Sequence, residues 1–409
     1  MVRFYIVKEG CYPLKLLHVI CSLNPADGGP PEAVRQIAKA YAALGHSMEV
    51  ACQDQPNSSW LNGLFFPVHA CGQRLLGGFG YSPHLRDWLS TNAARFDALV
   101  MHGLWSYAGM AVRSAALRAG LPYGVFPHGG IDPWFNRQYP LKHLKKRIFW
   151  PLQYPVLRDA AAVFFTTEKE RDLAATSFSP NRWNSVPVSY GISDPEGDPA
   201  AQVEAFYGKL PQVRGRRYLL FLSRIHEKKG CDLLLEAFAR VAPSAPDLDL
   251  VIAGPDQVGL QAKLQQLAAD AGIADRVHWP GMLTGEFKWG GYRGADAFIL
   301  PSHQENFGIV VVESLAAGRP VLISNQVNVW TEIVADGVGL VEDDTLEGME
   351  RLLRRWIDLS QQERDAMAAQ TRATFARRYS MKNAAESIVS LFASVRHKTA
   401  AAPEAVISR

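Results

Sequence analysis

Short apolar runs alternate along this chain with longer amphipathic stretches, a pattern that predicts strands buried on both faces with helices between them. In the first half, Leu16 to Cys21, Ser47 to Cys52, Ala98 to His102, Gly124 to Pro127 and Ala161 to Thr167 read as strands. Ala33 to Leu44 reads as a helix, opened by Gly28-Gly29-Pro30-Pro31, because proline suits the first helical position. The second half repeats the pattern with Tyr218 to Ser223, Leu248 to Ala253, Val277 to Trp279, Ala297 to Leu300 and Val321 to Ser324. Strands joined by helical crossovers form parallel sheets. The expected fold class is therefore α/β, with two doubly wound, Rossmann-like domains over residues 1–198 and 199–380. Residues 194–216, turn-rich at Asp194-Pro-Glu-Gly-Asp-Pro199, read as the linker. The last helical pattern covers about 381–396, and the Ala-rich tail from His397, with Pro403, is expected to be disordered.

Composition narrows the function. The chain has 409 residues, 48% hydrophobic and 20% charged, which suits a globular protein with two cores. Its net charge of +3 gives no case for nucleic acid as a partner. Five cysteines (Cys11, Cys21, Cys52, Cys71, Cys231) lack metal-ligand spacing and read as reduced, mostly buried thiols, so no metal site is expected. No apolar run approaches the roughly 18 residues of a membrane span, and no signal-peptide pattern opens the chain. A cytoplasmic location follows as the expectation.

The chemistry concentrates in Pro301-Ser-His-Gln-Glu305-Asn-Phe-Gly308, between an apolar strand and a helix that carries Glu313. In a parallel sheet, ligands collect outside the carboxyl ends of the strands, and a helix N-terminus offers free N–H groups to a pyrophosphate. Glu305 falls in that loop. Glu313, in the second helical turn, leans back toward the same place and offers two acceptor oxygens to ribose hydroxyls. A capped helix with a solvated Glu would explain the spacing alone, but Val312, Leu315 and Ala316 around Glu313 are apolar, and an acid there needs a partner. Upstream, the strand Tyr218 to Ser223 runs into Arg224-Ile-His-Glu-Lys-Lys229-Gly230. Arg224 and Lys229 thus lie at another strand end, where they suit a departing diphosphate.

The E-x7-E pair Glu305 and Glu313, with the turn Asn306, Phe307, Gly308 and Ile309 inside it, resembles the signature of the retaining glycosyltransferases of family four, whose two-domain fold is GT-B. The resemblance covers most of the chain and is strongest over 216–342. It implies two domains facing a central cleft, with the helix at 381–396 crossing back onto the first. It further implies that Glu305 serves the sugar, Glu313 the ribose, the backbone at 307–309 the sugar hydroxyls and phosphates, and Arg224 with Lys229 the diphosphate. Gly28 and Gly29 join the donor-binding set. The segment Pro127-His128-Gly129-Gly130-Ile-Asp-Pro-Trp134 looks like the family's first-domain histidine segment and places His128 on the donor sugar or diphosphate. His102 and Trp105, after a neighbouring strand, are expected on the acceptor side.

What the resemblance implies is a metal-independent, retaining hexosyltransferase without a cofactor, using a nucleoside-diphosphate sugar, UDP-linked by preference. Its acceptor would be a glycan or lipid-linked glycan of polysaccharide biosynthesis. Transfer would be front-face, the leaving phosphate helping to deprotonate the acceptor. A nucleotide-sugar epimerase on a similar fold and a noncatalytic nucleotide-sugar-binding protein remain open alternatives. Two segments depart from the commonest pattern: Ser189-Tyr190-Gly191 stands where Pro-Asn-Gly is usual, and Ser324 to Glu332 resembles a subset of bacterial polysaccharide transferases. Asp247-Leu-Asp249 mimics a metal-binding Asp-x-Asp but precedes a strand from about Leu250 and reads as a loop feature. Residues 141–158 mix Lys142, Lys145, Lys146, Arg147 and Arg158 with Leu144, Ile148, Phe149, Trp150 and Leu152. They read first as a core-facing helix with a solvated basic face, interrupted by Pro151. The second reading is a peripheral contact with the inner face of the membrane.

Overall fold

The computed structural model describes residues 12–72, 74–133, 140–188 and 191–400. Cys11, Trp134, Ser189, Tyr190 and Pro403 lie outside them. The chain divides into two compact units: one runs to Ser193 and takes in the chain again from Met381, and the other is Asp194–Ser380.

The first unit holds seven strands: β1 Lys15–Ile20, β2 Ser47–Cys52, β3 Val68–Ala70, β4 Ala98–His102, β5 Tyr123–Phe126, β6 Ala162–Phe165 and β7 Ser185–Pro187. Their order is β3-β2-β1-β4-β5-β6-β7, with every pair parallel. The second unit holds β8 Arg217–Leu222, β9 Leu248–Ala253, β10 Val277–Gly281, β11 Ala297–Leu300, β12 Val321–Ser324 and β13 Gly339–Glu342. These form a parallel sheet in the order β10-β9-β8-β11-β12-β13. Central strands such as β4, β9 and β11 are buried along their whole length, as their mostly apolar sequences require. In each sheet the order reverses beside one strand, β1 against β4 and β8 against β11. Such reversals open a crevice at the carboxyl ends of the strands.

Three expectations need correction. Residues 194–216 are not a bare linker. Asp198 caps a helix, Pro199–Lys209, by accepting a hydrogen bond from the Ala200 N–H, and Phe206 is fully buried in the second unit. The Asp-Pro pair that reads as a turn is here a cap followed by a proline in the first helical turn. The final helix, Met381–Ala400, runs past His397, since alanine favours helix. It packs on the helix Gly29–Ala43 of the first unit, with Phe392 edge-on to Phe164 at 6.3 Å.

The third correction concerns Asp249, which is a buried strand residue rather than part of a loop. Arg216 Nη2 meets it at 2.6 Å and His278 Nε2 at 2.9 Å. Burial pushes its carboxyl pKa up, but the His278 and Arg216 hydrogen bonds outweigh that and hold it below its ordinary value. Without Asp249 the Arg216 guanidinium stays in solvent, but the largely buried His278 loses its partner. Asp249→Ala should therefore destabilise the second unit by about 1–3 kcal/mol, read as a lower denaturant midpoint. An unchanged midpoint would show that solvent already screens Arg216 and His278.

Candidate active site

At the carboxyl end of β11, the chain turns through Pro301 to Gly308 and enters the helix Ile309–Ala316. Gly308 makes this turn at φ 71°, and a side chain there would press within 3.2 Å of Glu305 Cγ and Val327 Cγ1. Only glycine takes that conformation cheaply. The Glu305 N–H donates to the Gln326 carbonyl at 3.0 Å, and the Asn328 N–H donates to the Glu305 carbonyl at 3.0 Å. The loop after β12 thereby clamps Glu305 on both sides.

The Glu305 carboxylate pairs with the Lys229 ammonium. Lys229 stands at the end of the loop after β8, buried, just before the helix Cys231–Val241. Gly230 brings the two loops together: at φ 67° it lies so close to Pro301 that a Cβ would sit 2.3 Å from the Pro301 carbonyl oxygen. The two acidic and basic residues singled out in separate motifs therefore form one ion pair. Arg224 is exposed on the same strand end and reaches Gln257 Oε1 at 3.4 Å.

Glu313 is held in the second turn of its helix by two residues that pattern alone did not identify. Lys288 Nζ donates to its Oε1 at 2.7 Å and the Tyr292 hydroxyl to its Oε2 at 3.0 Å. Both project from the helix Gly285–Gly294. Their spacing of four is a helical-face signal, but nothing in it points at Glu313. Burial, then the charge of Glu313, pushes the Tyr292 hydroxyl pKa well up, so it stays a proton donor. A carboxylate has about four lone-pair sites, so acceptor capacity remains on Glu313. Asn306 Oδ1 is buried without a hydrogen-bond partner among the described residues. A buried orphan acceptor costs free energy unless a ligand donor meets it. Phe307 is nearly buried, edge-on to Tyr379 at 6.0 Å, and Ile309 opens the helix whose first N–H groups have no intrahelical partner.

In the first unit, three histidines stand in a row. His18 Nδ1 and His102 Nε2 are 2.9 Å apart, and His102 Nδ1 and His128 Nε2 are 3.1 Å apart. They come from β1, from the end of β4 and from just after β5. Burial lowers the His18 pKa to about 3 and that of His128 to about 4, and holds His102 well below its ordinary value, with the neighbouring imidazoles adding to the shift. All three are neutral near pH 7. His102 is fully enclosed, with its ring nitrogens directed at the other two imidazoles. Its ring stacks on that of His128 at 5.3 Å.

His128 sits in the left-handed region at φ 50°. Glu170 holds the loop beside it, one carboxylate oxygen accepting from the Gly129 N–H at 2.9 Å and the other from Thr166. Trp105, also left-handed at φ 67°, donates from Nε1 to the Gly130 carbonyl at 2.6 Å and packs on Trp150 and Phe178. It braces the histidine loop. Gly28 and Gly29 are exposed at the start of their helix with open space beside each Cα. Among the described residues no group of three or more His, Cys, Asp or Glu is arranged to hold a metal ion.

The chain thus has two parallel α/β units, with an acidic and basic cluster at the strand ends of the second. Residues 203–374 match the family model of glycosyl transferases group 1, and residues 28–191 that of the glycosyl transferase 4-like domain. The chain belongs to the group 1 glycosyltransferases. It is 41% identical over 127 residues to D-inositol 3-phosphate glycosyltransferase of Geodermatophilus obscurus, covering 29% of this chain and 28% of that protein. It is 25% identical over 339 residues to mannosylfructose-phosphate synthase of Agrobacterium fabrum, covering 74% of this chain and 72% of that one. The match to the first relative thus spans under a third of its length. HepE of Anabaena, solved in complex with UDP, superposes with a TM-score of 0.74 at 18% identity, covering 93% of this chain and 100% of that one. This likeness establishes the GT-B fold.

Proposed function

We propose that the chain moves a hexose, with retention of configuration, from a UDP-sugar to a glycan or lipid-linked glycan acceptor of polysaccharide biosynthesis. The observation that carries this reading is the joining of Lys229 to Glu305 beside the unpartnered Asn306 Oδ1, at the mouth of a helix N-terminus. In the proposed complex the diphosphate lies against Lys229, Arg224 and the N–H groups of 307–309, and Glu305 and Asn306 meet the sugar. Lys229 leaves Glu305 for the phosphate as the donor enters. Charge developing on the leaving diphosphate is neutralised by these fixed cations, and no metal ion is required. The phosphate takes the acceptor proton on the face from which it departs. His128, neutral at working pH, offers a hydrogen bond to the sugar and not a charge. The UDP preference draws on the HepE complex. The cytoplasm, at the inner face of the membrane, is the proposed location.

Glu313 supplies the test. With Lys288 and Tyr292 fixing it, its remaining lone pairs face the ribose of the donor. Glu313→Ala should weaken UDP binding by about 1.5–3 kcal/mol, the worth of a charge-assisted pair of hydrogen bonds. Calorimetric titration with UDP, GDP and ADP reads the loss and ranks the bases together. Equal UDP affinity in a folded variant would remove Glu313 from the donor site. Turnover then separates the alternatives: an epimerase makes a new nucleotide sugar without acceptor, and a binding module makes nothing.

A further inference from the structure

The helix Pro140–Arg158 runs unbroken through Pro151 and Pro155, which corrects the expectation of an interruption at Pro151. It also turns its apolar side chains the unexpected way. Trp150, Gln153, Val156 and Leu157 face inward and are buried. Leu141, Leu144, Ile148 and Leu152, spaced three or four residues apart along one stripe, face solvent, with Leu141 82% and Ile148 70% exposed. Lys142 and Lys145 flank that stripe on one side and Arg147 on the other, all exposed. No acidic residue occurs between Pro140 and Arg158. An outward leucine and isoleucine stripe costs solubility in water, and monomeric proteins rarely show one without a use.

We infer that this outward face docks on an anionic lipid surface, the stripe entering the boundary between headgroups and acyl chains and the flanking cations meeting the headgroups. The charge pattern selects this occupant. A stripe meant for a second protein copy has no need of basic flanks free of any acid, whereas an interfacial helix needs both features together. The stripe spans about three turns, roughly 16 Å, enough to lie in the interface and far too short to cross it. Among the described residues no helix is long and apolar enough to cross a membrane.

The same helix is tied to the histidine loop. Lys146, turned inward, donates to the Gly130 carbonyl at 3.3 Å and lies over the Trp105 ring at 4.9 Å. Docking would therefore bring the loop that carries His128 close to the lipid headgroups. Here the inference rests on the proposed function, since only a transferase with a membrane-held acceptor gains from that placement.

Binding of the full chain to phosphatidylcholine vesicles, with and without about one third phosphatidylglycerol, tests the face by co-sedimentation. Binding is expected only with the anionic lipid, and should fade in high salt. Lys145→Glu with Arg147→Glu should weaken it by roughly 30-fold or more, from about fivefold for each basic residue near such a surface and more on reversal. The triple variant Leu144→Gln, Ile148→Gln, Leu152→Gln should weaken it by at least about 10-fold. These exposed positions leave folding and UDP titration unchanged. Absence of wild-type binding, or variants that bind like wild type, overturns the inference. So does self-association in sedimentation that the triple variant abolishes while vesicles stay unbound, for the face then belongs to a second copy. Vesicle binding without any UDP binding would instead retain the docking face and sink the proposed function.

Discussion

Lys229→Ala will lower sugar transfer by roughly 10²-fold or more, the usual loss when a preorganised charge stabiliser is removed. Its ammonium is buried, paired and held by a loop that Gly230 presses against Pro301. In the proposed complex, where a diphosphate replaces Glu305 as its partner, little reorganisation is needed. Arg224 is exposed and spends more conformational freedom to reach the same oxygens, so Arg224→Ala should cost less. Steady-state transfer and slow donor hydrolysis, both measured in EDTA, check the claim. A loss under threefold would take Lys229 out of the chemistry. Activity abolished by EDTA and restored by magnesium or manganese would reject the metal-free mechanism.

Acid will destabilise the first unit before the second, because the three-histidine row is neutral when folded and protonates readily when unfolded. The folded pKa values of His18 and His128 are lowered, to about 3 and about 4, below the ordinary value of 6.5. A lowered histidine contributes stability that is fully present above the unfolded pKa and is lost as pH falls from there toward the folded one. Each such histidine removes about 1.4 kcal/mol per pH unit below 6.5. With His18 and His128 both titrating far below this range, the drop from pH 6.5 to 5.5 should be about 2 kcal/mol. Thermal unfolding across that range reads it. His18→Phe should flatten the slope, and a melting temperature indifferent to pH in the wild type would refute the account.

Strong buried runs made most of the fold legible. β1, β2, β4, β9, β11 and β12 are long or unbroken apolar stretches, and their parallel arrangement followed from the helices between them. β3, β7 and β13 escaped because three or four half-buried residues at a sheet edge carry neither a run nor an alternation. The helix Pro199–Lys209 hid behind a turn signal that served as its cap. In the candidate site, the positions of Glu305, Lys229 and Glu313 at strand ends and a helix start were readable, because the apolar runs on either side mark those boundaries. Lys288, Tyr292, Glu170 and His18 were not, since each acts by reaching a residue far away in sequence. The outward stripe at 141–152 shows a further limit: periodicity reveals that a helix has two faces, and only packing reveals which one water sees.

The clamp on Glu305 bears on how such a chain can diverge. Its backbone is bonded on both sides to the segment Gln326 to Asn328, so an insertion or deletion there would drag the carboxylate with it. Lineages altering their sugar preference should leave the length of that segment alone and vary exposed side chains on other loops. The segment that looks most like a spare surface turn is then the one whose length natural variation can least afford to change.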